Sequence, residues 1–327
     1  MMRSTANRPG LSLTEVLVAL FVMALGIISL MTLFPLGAMQ MSVALRDDRS
    51  GQTASQADGM TRIWWQTQVV ERPGTEDAFF GAMDNPGAPL PAKALDNNPS
   101  YPVFLDAIGW HSRSAGQREW MTGSTEVRIP RRSAAIVPNL TASIRACSMM
   151  DDITFAQTGQ PDTASGSAGG VVREGAFNWC AVIQRPNNAN RYVADLKILV
   201  FHTKGLYGGH VPGTNPAGAE TIYSTAAGQV AAANAGSTQI RLNIDITNLP
   251  LRGSSWIMDG SSANVANFYR IQSITELPPL PGPVPQTILE LDTPLKSNVT
   301  QLYVLRGLAD VFDRPQLTNS GYHRQAP

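Results

Sequence analysis

The stretch that decides the fold is Leu11–Leu30, LSLTEVLVALFVMALGIISL, which continues as MTLFPLGAMQ to Gln40. From Val16 to Met39 it holds no charged residue, and at about 1.5 Å per helical residue such a run crosses the roughly 30 Å hydrocarbon core of a bilayer. A single carboxylate, Glu15, stands at its front edge. A carboxylate at a membrane boundary is costly and is read first as functional, so its role has to be accounted for.

Beyond Met39 the pattern changes character but does not stop. MQMSVALRDDRSGQTASQADGMTRIWWQTQVV contains no proline, and Met41, Ala44 and Leu45, then Met60, Ile63 and Trp64 recur at roughly helical spacing. One long helix from about Ser12 to about Val70 is predicted, apolar throughout its first half and two-sided in its second, with Pro35 removing a backbone donor inside it and predicting a kink. Trp64 and Trp65 read as packing residues rather than as a ligand platform.

Three readings compete for the first forty-five residues. A secretory signal would be cut near Ser42-Val43-Ala44, yet its apolar centre spans only 7–15 residues and its flank is positive. A plain anchor explains the length and leaves RPGLSLTE unexplained. The third reading uses every residue: a polar leader with Arg3 and Arg8, then Gly10, Leu11 and Glu15 ahead of the apolar helix. The far flank, Arg46-Asp47-Asp48-Arg49, sums to zero, so the positive-inside rule keeps the N-terminus cytoplasmic and exports the rest.

This segment resembles the type IV pilin and type II secretion pseudopilin family. The resemblance covers about the first fifty residues. It implies that a prepilin peptidase cuts between Gly10 and Leu11, that Leu11 is N-methylated, and that Glu15, fifth in the mature chain, serves assembly. Where this chain has Leu11 the family most often has phenylalanine. The partners implied are the peptidase and methyltransferase, other pilin or pseudopilin subunits, an inner-membrane assembly platform and the lipid bilayer. The location implied is a single pass in the inner membrane, N-terminus cytoplasmic and bulk periplasmic.

The remaining composition predicts an α+β chain with an antiparallel β-rich exported domain, and the resemblance implies that the long helix is laid on it in the pilin-like manner. Of 327 residues, 28 are Gly and 23 Pro while only 15% are charged, which favours turns and short strands over further helices. Lys plus Arg balances Asp plus Glu at 25 each, so no global field attracts nucleic acid. After the leader (1–10) and helix (11–72) the sequence divides into an irregular connection (73–124), a β-rich lobe (125–210), a Gly/Ala-rich linker (211–236), a second small β lobe (237–313) of sandwich or barrel type, and a polar tail (314–327). Strands are predicted at Thr125–Ile129, Ala176–Ile183, Tyr192–Thr203, Gln239–Ile246, Ser255–Met258, Asn267–Ile274, Thr287–Leu291 and Gln301–Arg306. Leu277–Pro285, LPPLPGPVP, reads as a rigid strand connector before a polyproline ligand.

The search for chemistry predicts no enzyme, no cofactor and no metal. His111, His202, His210 and His323 have no ligand spacing, Ser165–Gly170 (SGSAGG) lacks the lysine of a phosphate loop, and Asp151, Asp152 and Asp162 match no calcium loop. Val127–Arg132, VRIPRR, is the one dense basic patch, near Trp120; it reads as a solvated strand end before a nucleic-acid contact. Cys147 and Cys180 are either two buried thiols or, in an oxidising compartment, a bridge contributing about 3–4 kcal/mol. The function expected is thus a structural filament subunit. The rival is a binding module, an adhesin or DNA-uptake pilin, displayed on the same anchor.

Overall fold

The alternation of side-chain character along the helix explains its two fates. In the computed structural model α1 runs from Leu13 to Trp64 without a break at Pro35, and every described side chain from Leu13 to Arg49 is exposed. From Ser50 onward a buried stripe appears at Ser50, Thr53, Ala54, Ala57, Thr61, Trp64, Trp65 and Val69, the three- and four-residue spacing of one helix face. The helix ends in a wider turn of π type over Trp65–Val70, where the Glu71 N–H reaches back five residues to the Gln66 carbonyl at 2.9 Å. The structure describes residues 13–71, 76–87, 90–93, 99–113, 118–121, 129–133, 139–151, 176–186, 190–202, 220–231, 233–262, 264–277 and 285–319, with single residues at 153, 155, 158, 160 and 161.

Two compact units divide the chain, Met1–Arg49 and Ser50–Pro327. Within the second, α2 (Glu76–Asp84) sets Phe79 and Phe80 against the tryptophans, with Phe79 edge-on to Trp64 at 5.0 Å between centroids. Trp64 and Trp65 are therefore core residues. The interval read as an irregular connection also contains β1 (Val103–Leu105) and α3 (Ala107–His111), each too short to carry a periodic signal. Further along lie β2 (Arg131–Arg132), α4 (Leu140–Cys147), β3 (Phe177–Gln184) and β4 (Ala194–His202). The strand expected at Thr125–Ile129 falls almost wholly outside the described residues.

The first sheet has the order β11-β4-β3-β1-β2, where β11 is Leu308–Leu317. All pairings in it are antiparallel except β1 with β2. Phe177 to Ile183 are all buried, and since successive side chains of a strand point to opposite faces, both faces of this sheet are covered. Its core joins Ala54, Ala57, Trp65 and Val69 of the helix, through β3 and β4, to residues of the second sheet, Met258, Tyr303 and Leu305. Arg62 donates to the Pro315 and Gln316 carbonyls at 2.6 and 3.1 Å and so ties the helix to the end of β11.

The second sheet comprises β5 (Glu220–Ser224), β6 (Gln239–Leu242), β7 (Trp256–Asp259), β8 (Asn267–Leu277), β9 (Gln286–Leu291) and β10 (Gln301–Leu305), in the order β5-β10-β7-β8-β9-β6. β8 pairs with β7 through Asn267–Arg270 and with β9 through Ile271–Leu277, and a register shift between Ile271 and Ser273 marks the change of partner. Gln229, Val230, Ala231 and Ala233 close the sheet on itself: the Ala231 N–H donates to the Arg241 carbonyl at 2.9 Å, and Ala233 exchanges bonds with Val299 just ahead of β10. The resulting small barrel has its own core of Ile240, Leu242, Ile257, Tyr269, Ile271, Leu289, Leu302 and Val304.

Two expectations are corrected here. Glu220–Ser224, assigned to the Gly/Ala linker, is a barrel strand, held by five paired residues of β10 despite its flanking sequence. The second lobe and tail, divided at Asp313, give way to a strand: β11 leaves the barrel after Gly307 and pairs with β4, Val311 opposite Leu199 and Asp313 opposite Lys197. The barrel is therefore an insertion between two neighbouring strands of the first sheet. β6 is shorter than predicted because Asp245 turns the chain, its carboxylate accepting from the Thr247 N–H at 2.8 Å.

Candidate functional site

Glu15 lies in the first turn of α1, where the free N–H groups and the positive end of the helix dipole favour a carboxylate. Gly10 and Leu11, the residues of the expected cleavage, lie outside the described residues. After Glu15 comes a thirty-residue interval, Val16 to Leu45, without a charge. α1 is long and apolar enough to cross a membrane, and no side chain in its most apolar window is buried.

A second concentration of chemistry was not legible from spacing. Arg131, read as part of a solvated basic strand end, is completely enclosed. Its Nε donates to Asp106 Oδ2 at 3.1 Å, its Nη1 to the Trp120 carbonyl at 2.9 Å, and its Nη2 to Glu220 Oε1. Arg113 Nη2 lies 3.0 Å from the same Glu220 oxygen. Two guanidinium groups thus face two carboxylates. The gap beside it, lined by Phe104, Met121, Cys180, Phe201 and Leu305, is too small to admit a water molecule.

Local structure sets these groups in place. Asp106 caps α3, its Oδ1 accepting from the Gly109 N–H at 2.8 Å. A Cβ at Gly109 would lie 2.0 Å from Asp106 Oδ2, so the close approach requires glycine. β2 presents Arg131 from the edge of the first sheet, and β5 presents Glu220 from the barrel. The cluster consequently spans both sheets.

The two cysteines end near this cluster, Cys147 at the close of α4 and Cys180 inside β3. No bridge joins them: both are free and buried, the first alternative of the sequence reading. Burial pushes both thiols well above their ordinary range, with Asp106 adding to the effect. Ser148, next to Cys147, pairs with Asn178 of β3, while Cys180 lies two residues further along that strand.

The remaining candidates do not converge. His111 Nε2 lies 3.4 Å from Ser133 Oγ, and His202 stands edge-on to Phe177 at 5.2 Å. Asp151 is exposed in a turn; Asp152, Asp162, His210, His323 and Ser165–Gly170 lie outside the described residues. Among the described residues no group of three or more His, Cys, Asp or Glu side chains is arranged to hold a metal ion. Leu277 ends β8 opposite Gln286 of β9, so LPPLPGPVP links the two strands of a hairpin, with most of its length outside the described residues.

No protein-family model matches the chain. No curated protein matches it either. Among solved structures the chain matches a phage phi92 endosialidase at 9% identity, covering 43% of this chain and 18% of that one, with a TM-score of 0.18. The chain spans less than a fifth of that protein, and a likeness at this level carries no argument about fold or activity.

Proposed function

We propose that the chain is a structural subunit of a type IV pilus or type II secretion filament, a minor pilin or pseudopilin processed by a prepilin peptidase. The observation that carries this reading is the contrast within α1, in which an exposed apolar half fronted by Glu15 continues into a half whose buried face belongs to the folded part of the chain. The basic leader with Arg3 and Arg8, the Gly10–Leu11 junction and the apolar length support it from the sequence. The exported part is large, which favours a low-copy or tip position. Its barrel, with a core of its own, supports a second reading in which the filament displays a binding module.

The mechanism rests on charge. Cleavage after Gly10 creates a cationic amine on Leu11, and methylation keeps the charge. In a bundle of axially staggered helices the amine of one subunit lies beside Glu15 of the next. A carboxylate in hydrocarbon costs about 2.5–3.5 kcal/mol, so the register that brings the amine to it is the favoured one. Intact-mass and N-terminal sequencing of the membrane-extracted protein tests the first step, with a chain beginning at a methylated Leu11 expected. A start near Arg46 would indicate ordinary secretory cleavage, and a start at Met1 or Met2 an uncleaved anchor. Glu15→Leu, in turn, is expected to leave cleavage intact and to reduce co-purification with partner subunits.

A further inference from the structure

The first sheet meets the barrel over part of one face. Successive residues of a strand point to opposite sides, so Cys180, Val182 and Gln184 of β3 share a face with Asp195, Lys197 and Phe201 of β4 and with Asp313 of β11. At one end of that face Cys180 and Phe201 meet Leu305 of the barrel. At the other end opens a cleft of about 240 Å³, lined by Val182, Gln184, Asp195, Lys197 and Asp313 of the sheet and by Ala266, one residue before β8. Gln184 ties its two sides together, its Nε2 donating to the Ser100 carbonyl at 2.9 Å and to the Asn264 carbonyl.

We propose that this cleft binds one ring of a neutral carbohydrate. Its charged groups are already balanced and held: Lys197 pairs with Asp313 across β4 and β11, Asp195 accepts from Gln316 Nε2 at 2.7 Å, and Arg314 borders the same space. A free cation or anion would add a charge to that lining and compete with the Lys197–Asp313 pair. A sugar hydroxyl donates and accepts at once. It takes a hydrogen bond from Lys197, which has three N–H donors, and gives one to a carboxylate oxygen of Asp195 or Asp313, while the existing contacts stay in place.

Shape and place agree with this ligand class. Val182 and Ala266 offer the C–H side of a ring an apolar contact between the polar groups. A few placed polar groups around apolar surface, at the boundary of two modules, are the usual make-up of a small-ligand site, and a volume just under the range of drug-sized pockets suits a single ring. The inference deepens the second reading above, the displayed binding module, and rests on it. Leader cleavage and co-purification with partner subunits test the filament reading by separate measurements.

Saturation-transfer difference NMR on the full chain provides the test, in micelles of lauryldimethylamine oxide, a detergent without a sugar headgroup. The probes are the methyl glycosides of glucose, galactose, mannose and N-acetylglucosamine, with glycine as a zwitterion and acetate as an anion; empty micelles give the background. At least one glycoside should show saturation above background, strongest at its ring C–H protons. Asp195→Ala and Lys197→Ala should each weaken its binding on the order of tenfold or more, the loss of one hydrogen bond to a charged group. Glu276→Ala, at an exposed position of β8, should leave it unchanged. Silence of all the glycosides would overturn the inference, as would binding that survives both cleft substitutions, or a cleft that takes glycine or acetate in preference to every glycoside. Should either cleft variant fail to fold, the other decides by the same criteria.

Discussion

The two halves of α1 are continuous in backbone and opposite in fate. Ala19 and Ala24 stand exposed in the first half, while Ala54 and Ala57 in the second are completely buried against the sheet. The same residue type, in the same secondary structure, is governed by what the rest of the chain brings against it. In Ser50–Val70 the sheet supplies a partner, and the helix shows a narrow apolar face. In Val16–Leu45 the apolar character goes all the way round, no described side chain is buried, and the segment is long enough to cross a bilayer.

Substitutions separate the two regions most sharply where charge is involved. Arg131→Met should have the largest effect on the folded part, about 3–5 kcal/mol in denaturant unfolding, because it removes the enclosed guanidinium that both Asp106 and Glu220 bind. Ala24→Arg should leave that unfolding curve unchanged and instead weaken membrane retention by about 2.5–3.5 kcal/mol, read as the fraction recovered in the soluble phase. Equal effects of both changes on unfolding would erase the distinction between the halves.

A same-type exchange sharpens it further. Ala57→Leu forces a larger side chain into a site with no exposed surface and should cost about 1–3 kcal/mol, whereas Ala19→Leu should stay within about 0.5 kcal/mol in the same thermal melt. A small effect is also expected at the surface of the first sheet. Lys197 pairs with Asp313 across β4 and β11, but Asp313 is largely exposed, so Lys197→Ala should change stability by about 0–1 kcal/mol.

Much of this was readable in the residues, and the exceptions share a cause. The helix is announced by an uninterrupted apolar run followed by three- and four-residue spacing, and β3, β4, β7, β8, β9 and β10 by compact runs of β-branched and aromatic residues between turns. β11 was missed because ADVFDRPQL carries the charges and the proline of an edge strand, and its partner β4 lies about a hundred residues earlier. β5 was hidden by the Gly- and Ala-rich sequence around it. Arg131 was misread for a similar reason: next to Arg132 it looks solvent-facing, and the carboxylates that enclose it, Asp106 and Glu220, come from distant parts of the chain. Neutral composition hides such a cluster, since its members meet in space and not in sequence.

The central claim is that α1 serves two surroundings, and shortening the chain tests it most directly. A chain beginning at Met41 lacks residues 1–40, and with them most of the exposed apolar half, and keeps the whole buried stripe from Ser50 to Val69. It should be soluble without detergent, monomeric in sedimentation, and unfold in a cooperative transition with the β signal of the full chain. Aggregation of that shortened chain without cooperative melting, under conditions where the full chain in detergent is folded, would contradict the account.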